Sequence, residues 1–174
     1  MKTVQRMAAA VVLGSILPMM ATPGLAQEAI LSSPDQSQYL EGLKRLYLIS
    51  DERQALLTHT NALLTAYMLK AGYRLDEPNP KGVKYELSLG KPGELLVREE
   101  LRGEQGGDLA VRNRRFSLFG VDPFVRYECP SSGVTCSFAE PGGRDPMVVI
   151  VRDQSGADQL AKALSLLIRN VQRG

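Results

Sequence analysis

The chain has 174 residues, with 21 basic and 19 acidic side chains, one histidine, two cysteines and no tryptophan. Its surplus of positive charge comes from Lys2 and Arg6, so residues 27–174 carry 19 basic and 19 acidic groups and are formally neutral. That balance gives no electrostatic ground for a nucleic-acid or anionic-membrane partner. A single histidine and two cysteines also leave too few ligands of the usual spacing for a zinc site.

Lys2 and Arg6 precede an apolar run, "MAAAVVLGSILPMM" (residues 7–20), and a small-residue ending, "ATPGLA". A positive start, an apolar stretch and a small-x-small end define a secretory signal peptide over residues 1–26, with Gly24 and Ala26 at the cleavage positions. The run is shorter than the roughly 20 apolar residues that span a bilayer, and Pro18 interrupts it. No cysteine lies nearby to take a lipid. The expectation is a periplasmic or secreted protein with no membrane anchor after cleavage, in which residues 27–174 form one domain. Those 148 residues are enough to bury about two-thirds of the unfolded surface.

Residues 27–35 read as a loose leader. From Gln36 the pattern is helical, with Tyr39, Leu40, Leu43, Leu46 and Tyr47 on one arc. Ser50 or Asp51 can cap a following helix, with Gln54 placed as in a capping box. That helix carries Leu56, Leu57, Thr60, Leu63, Leu64, Tyr67 and Met68 on one face, and Gly72 is placed to end it. The spacing leaves open whether residues 36–72 are one bent helix or two.

After "DEPNPKG" the period changes to two. "VKYELSL" alternates apolar and polar residues, "GKPG" turns the chain and "ELLVREEL" runs back, which together predict a β-hairpin. "RGEQGGD" is a second turn. In "LAVRNRRFSLF" the apolar parity slips between Val111 and Phe116, predicting a bulge near Asn113. "FVRYEC" and "VTCSF" are short strands, and "MVVIV" reads as a strand buried on both faces. A closing helix follows, with Ser155 as N-cap and Ala157, Leu160, Ala161, Leu164, Leu167, Ile168 and Val171 on its apolar face. The order predicts an α+β fold: an N-terminal helix or helix pair, an antiparallel sheet of five or six strands, and a C-terminal amphipathic helix packed on that sheet.

The cysteines, Cys129 and Cys136, flank the turn "PSSG". Strand parity puts Cys129 with Val125 and Tyr127, and Cys136 with Val134 and Phe138. Two thiols facing each other in an oxidising compartment should bond, whereas a redox pair would ordinarily show C-x-x-C at a helix start. No phosphate-cradling glycine loop, zinc-protease motif or nucleophile elbow occurs, and no cofactor is implied. His59 falls about 40° beyond Leu63 on the wheel, at the margin of the apolar face, and is more simply a boundary residue than a general base. Glu99 and Glu100 point to opposite faces, so they cannot act together. Glu99 shares the parity of Leu95, Val97 and Leu101, as the exposed end of that face or an inward charge with a partner.

"RNRRF" (residues 112–116) is the one local basic cluster, and "FGVDPF" is a turn with apolar flanks. Arg112, Arg114, Arg115, Phe119 and Phe124 are therefore the candidate contacts for a partner, since arginine and aromatic residues are enriched at interface centres. The acidic residues of the facing hairpin offer internal pairing instead. The function expected is that of a non-enzymatic envelope protein binding another envelope or exported protein, as an inhibitor, immunity protein or accessory subunit. The alternative is a periplasmic small-molecule or lipid carrier with a cavity lined by Tyr85, Phe116 or Tyr127.

Overall fold

A computed structural model describes residues 34–73, 81–103 and 109–174. The expected signal peptide, most of the leader and the centres of the turns "DEPNPKG" and "RGEQGGD" lie outside the described residues. Helix α1 is Pro34–Tyr47, which starts two residues before the apolar periodicity and buries Leu40 and Leu43. It ends in a Schellman motif: Ile49 N–H donates to the Lys44 carbonyl at 3.0 Å and Leu48 N–H to the Arg45 carbonyl at 3.4 Å. Leu48 pays for this with a left-handed φ of 56°. Asp51 then caps α2, Glu52–Ala66, accepting from Gln54 N–H at 2.7 Å, so the chain forms a helix pair.

Helix α2 stops before Gly72. Tyr67 closes it, and the Tyr67 carbonyl accepts from Val151 N–H at 2.9 Å. Leu69 bridges Val83, and Gly72 falls in a 3₁₀ turn, Ala71–Tyr73. Pairing with strands offers these backbone groups partners that another helical turn would forfeit.

The strands form two sheets of three, and this corrects the expected single sheet of five or six. The first contains β1 (Lys81–Leu89), β2 (Glu94–Gly103) and β3 (Leu109–Ser117) in that order. The second contains β4 (Tyr127–Glu128), β5 (Thr135–Ala139) and β6 (Pro146–Val151). All neighbours are antiparallel. Strand β3 keeps register from Glu94↔Ser117 to Arg102↔Leu109 with no bulge at Asn113. The irregularity lies at Phe138/Ala139 instead. The apparent parity slip arises because Arg112 and Arg114 share the inner face with Phe116, while Val111 lies on the exposed outer one.

Helix α3, Gln154–Gln172, is capped by Asp153 rather than Ser155, the Asp153 side chain accepting from Gly156 N–H at 2.6 Å. Asp153 holds an extended φ of −142°, as a cap does, and leaves Ser155 inside the first turn. The expected apolar face of α3 is buried, and so are Ala163 and Leu166 beside it. A β-carbon at Gly156 would stand 2.5 Å from the Tyr67 ring, so glycine there lets α3 approach the end of α2. Arg53 and Glu52 on α2 lock Asn170 on α3 through hydrogen bonds of 2.8–3.1 Å. One core joins the helices to both sheets, with Leu56, Leu95, Phe138, Ile150 and Leu164 at most 1 % exposed. Each such side chain contributes about 1.5–3 kcal/mol by leaving water.

Candidate functional site

Antiparallel strands bond through alternate residues, so the outward set at each sheet edge can be followed residue by residue. Gly90 N–H donates to Glu94, which fixes the parity of β1–β2 and turns the backbone of Val83, Tyr85 and Leu87 away from β2. That edge is closed. Val83 N–H reaches the Leu69 carbonyl at 2.7 Å, and Asn61 on α2 both donates to and accepts from Leu87 at 2.8 Å.

The outward edge of β6 is also closed, by a side chain of the first sheet. Arg114 donates to the Pro146 carbonyl at 2.9 Å and to that of Met147. Val151 N–H is taken by Tyr67. The two sheets therefore meet edge against face, which is why they do not merge.

Strand β3 is different. Leu118 N–H donates to the Gly93 carbonyl, so in the same register Ala110, Arg112, Arg114 and Phe116 bond β2. The backbone groups of Leu109, Val111, Asn113 and Arg115 face outward, and no described residue bonds them. Most of the strand is exposed, including Leu109 at 54 % and Val111 at 43 %.

Its inner face carries charge. Tyr85, Glu99 and Arg112 stand in one row across the sheet, and Leu87, Val97 and Arg114 in the next. Glu99 thus points inward, accepting from the Tyr85 hydroxyl at 3.2 Å. Arg112 Nε lies 3.8 Å from Glu99 Oε2, beyond hydrogen-bond distance, and the Arg112 side chain stays 68 % exposed. Burial, followed by the Glu99 charge, pushes the Tyr85 hydroxyl far above its ordinary pKa. Tyr85 therefore stays a neutral donor. Arg114 also stacks over Phe116 at 5.5 Å.

The five candidate contacts separate by environment. Arg112, Arg115 and Phe119 are exposed, and Arg115 has no hydrogen bond or ion pair among the described residues. It borders an open cleft of about 510 Å³ with Ser88, Leu96, Arg98 and Asn113. The Phe119 ring rests on Gly93, whose φ is +76° and where a β-carbon would lie 2.1 Å from the ring. Arg114 is committed to β6, and Phe124 is half-buried against the core, its N–H donating to Asp122. The sequence signal that separates Arg112 from Arg114 is absent, because both share one strand face and differ only in what lies opposite. The closing role of Asn61 is likewise unmarked in the sequence.

His59 sits in an aromatic cluster. Its Nδ1 is 3.0 Å from the Tyr47 hydroxyl, Tyr39 meets it edge-on at 6.0 Å, and Lys162 lies 4.3 Å above the Tyr39 ring. Burial lowers the His59 pKa; burial and then Tyr47 push Tyr39 up to about 12. These contacts join α1 to α2 and α3. Cys129 and Cys136 are disulfide-bonded across the β4–β5 hairpin, with Cα atoms 4.2 Å apart. Among the described residues no group of three His, Cys, Asp or Glu side chains could hold a metal, and no helix is long and apolar enough to cross a membrane.

The molecule belongs to the α+β class, with two three-stranded antiparallel sheets and a C-terminal helix among the described residues. No protein-family model matches the sequence, and no curated protein or solved structure is significantly similar to it.

Proposed function

We propose that this is an exported, non-enzymatic protein of the bacterial envelope that acts by binding another protein through β3 and the turn after it. The roles open to it are those of an inhibitor, an immunity protein or an accessory subunit. The observation that carries the reading is the contrast between β3 and the rest of the molecule. The other two long strand edges are closed, His59 is engaged in a helix contact, and the cysteines are bonded to each other. Among the described residues β3 is the long strand that presents an open edge, with Arg112 and Arg115 exposed and Phe119, 60 % exposed, at its end. The disulfide supports an oxidising compartment, and together with the signal-like first 26 residues it supports the reading of a periplasmic or secreted protein.

A photo-crosslinking amino acid at Phe119, in the full chain expressed in a bacterial envelope, should give one discrete adduct. The same group at Gln159 on α3 should not. Equal or absent labelling at both positions would remove the proposal. The carrier reading has less support, since Tyr85 is packed in the core and Tyr127 is held by Asp158 and Gln154. The clefts near Tyr127, of about 300 and 350 Å³, are open and bordered by Arg126 and Arg144.

A further inference from the structure

We propose that β3 captures its partner by adding a fourth strand: an extended, acidic segment of another protein that pairs with the outward backbone of Leu109, Val111, Asn113 and Arg115. This rests on the function proposed above and specifies its chemistry. An unpaired strand edge is a template for any extended chain, and main-chain pairing is a recurring mode of peptide recognition. The question is which chain this edge admits.

Its charges answer that. Arg112 projects from the inner face and Arg115 from the outer one, and β3 contains no acidic residue. A carboxylate opposite each would be an attractive cross-strand pair, and a like charge a repulsive one. Arg112 and Arg115 are three positions apart, so the incoming strand should carry acidic residues at i and i+3, one on each face. A second copy of this chain is a poor occupant. Both copies would offer odd-numbered residues, and each of the three antiparallel registers that pair seven or more of the nine residues sets arginine against arginine: Arg112 against Arg114, Arg112 against itself, or Arg114 against itself. The apolar residues Leu109, Val111 and Phe119 flank the arginines and supply contact area at both ends.

The ladder gives a readout with residue resolution. In the free protein the amides of Arg112 and Arg114 are bonded to β2 and should exchange slowly, whereas those of Val111, Asn113 and Arg115 should exchange fast. Three peptides test the idea: TVETVEVT, its lysine counterpart TVKTVKVT, and TVETVEVT with alternate backbone nitrogens methylated. Each is tethered to the C-terminus of the full chain by a flexible Gly-Ser linker, which raises its effective concentration to about millimolar.

The acidic strand should slow exchange at Val111, Asn113 and Arg115 about tenfold or more relative to the lysine strand, and salt should weaken the effect. Methylation should abolish it. Val111→Pro should abolish it too, while Arg112 and Arg114 stay protected, because the lost N–H faces away from β2. No protection with the acidic strand, or equal protection with the lysine strand, overturns the proposal. So does an effect that survives methylation, which would show charge attraction without strand pairing. If Phe119 crosslinks a partner but the acidic strand protects nothing, the binding surface stands and the strand mode falls. If Phe119 crosslinks nothing while the acidic strand pairs, the edge is competent and the proposed function is wrong.

Discussion

Asn61 and Leu87 exchange two hydrogen bonds of 2.8 Å, the side-chain amide of one mimicking the strand that the backbone of the other lacks. Both bonds are partly buried, so their loss leaves a donor and an acceptor without partners. Asn61→Ala should therefore destabilise the fold by about 1–3 kcal/mol, read as a lower urea midpoint with an unchanged slope. Asn61→Asp should do no better, since a carboxylate restores the acceptor but not the donor. An alanine variant as stable as the parent would show that water closes this edge equally well.

The Cys129–Cys136 bond makes a second prediction. In the chain-entropy description, closing so short a loop is worth about 2.5 kcal/mol. Cys129→Ser should lower the melting temperature by about 5–10 °C, and native protein should show no free thiol to a labelling reagent. Labelling of both cysteines in the folded, exported protein would contradict the disulfide.

Protonation of His59 should unfold rather than stabilise. Burial holds its folded pKa below 6.5, so at intermediate pH the unfolded chain binds the proton more tightly. The contribution of neutral His59 is complete above the unfolded pKa and is lost as pH falls through the window beneath it. Stability should drop between about pH 7 and pH 5, and His59→Gln should flatten that part of the profile. An unchanged profile in the variant would assign the acid sensitivity to other groups.

At the end of α1, Leu48 occupies a left-handed conformation that suits glycine, and it is 92 % exposed. Removing its side chain loses little burial and relieves a steric cost of about 1–2 kcal/mol. Leu48→Gly should raise thermal stability, whereas Leu48→Ala should not. A destabilised glycine variant would mean that the Leu48 side chain has a packing role.

These features differ in how far the amino-acid sequence reveals them. Asp51 and Gln54 announce the start of α2 because capping is a short-range interaction. The hairpin of β1 and β2 is equally plain, since its alternation and its glycine turn are both local. The division into two sheets is not local. Strands β3 and β5 alternate in the same way, and whether they share a sheet depends on Arg114 reaching β6 across the core. Inward arginines also defeat the rule that apolar residues mark the buried face, which made a regular β3 resemble a bulged one. Asp153 and Ser155 both suit a cap, and a two-residue shift of the start between them leaves the same apolar stripe on α3. Among the candidate contacts, charge and aromaticity drew attention to β3 and its following turn, but only packing separates the exposed Arg112 and Arg115 from the internally committed Arg114.

The closing of the β1 and β6 edges by single side chains has a consequence for how the protein is made. Asn61 can protect β1 only once α2 has docked, and Arg114 can protect β6 only once both sheets have come together. A nascent chain therefore exposes strand borders that the finished molecule covers at β1 and β6 and leaves open at β3. Such borders are where newly formed sheets aggregate. The arginines of β3 repel their own kind from the outset, before any tertiary contact exists, and so guard the border that stays open throughout. Loss of yield on replacing them would then be a defect of assembly, visible in cells even where the purified survivor is fully folded.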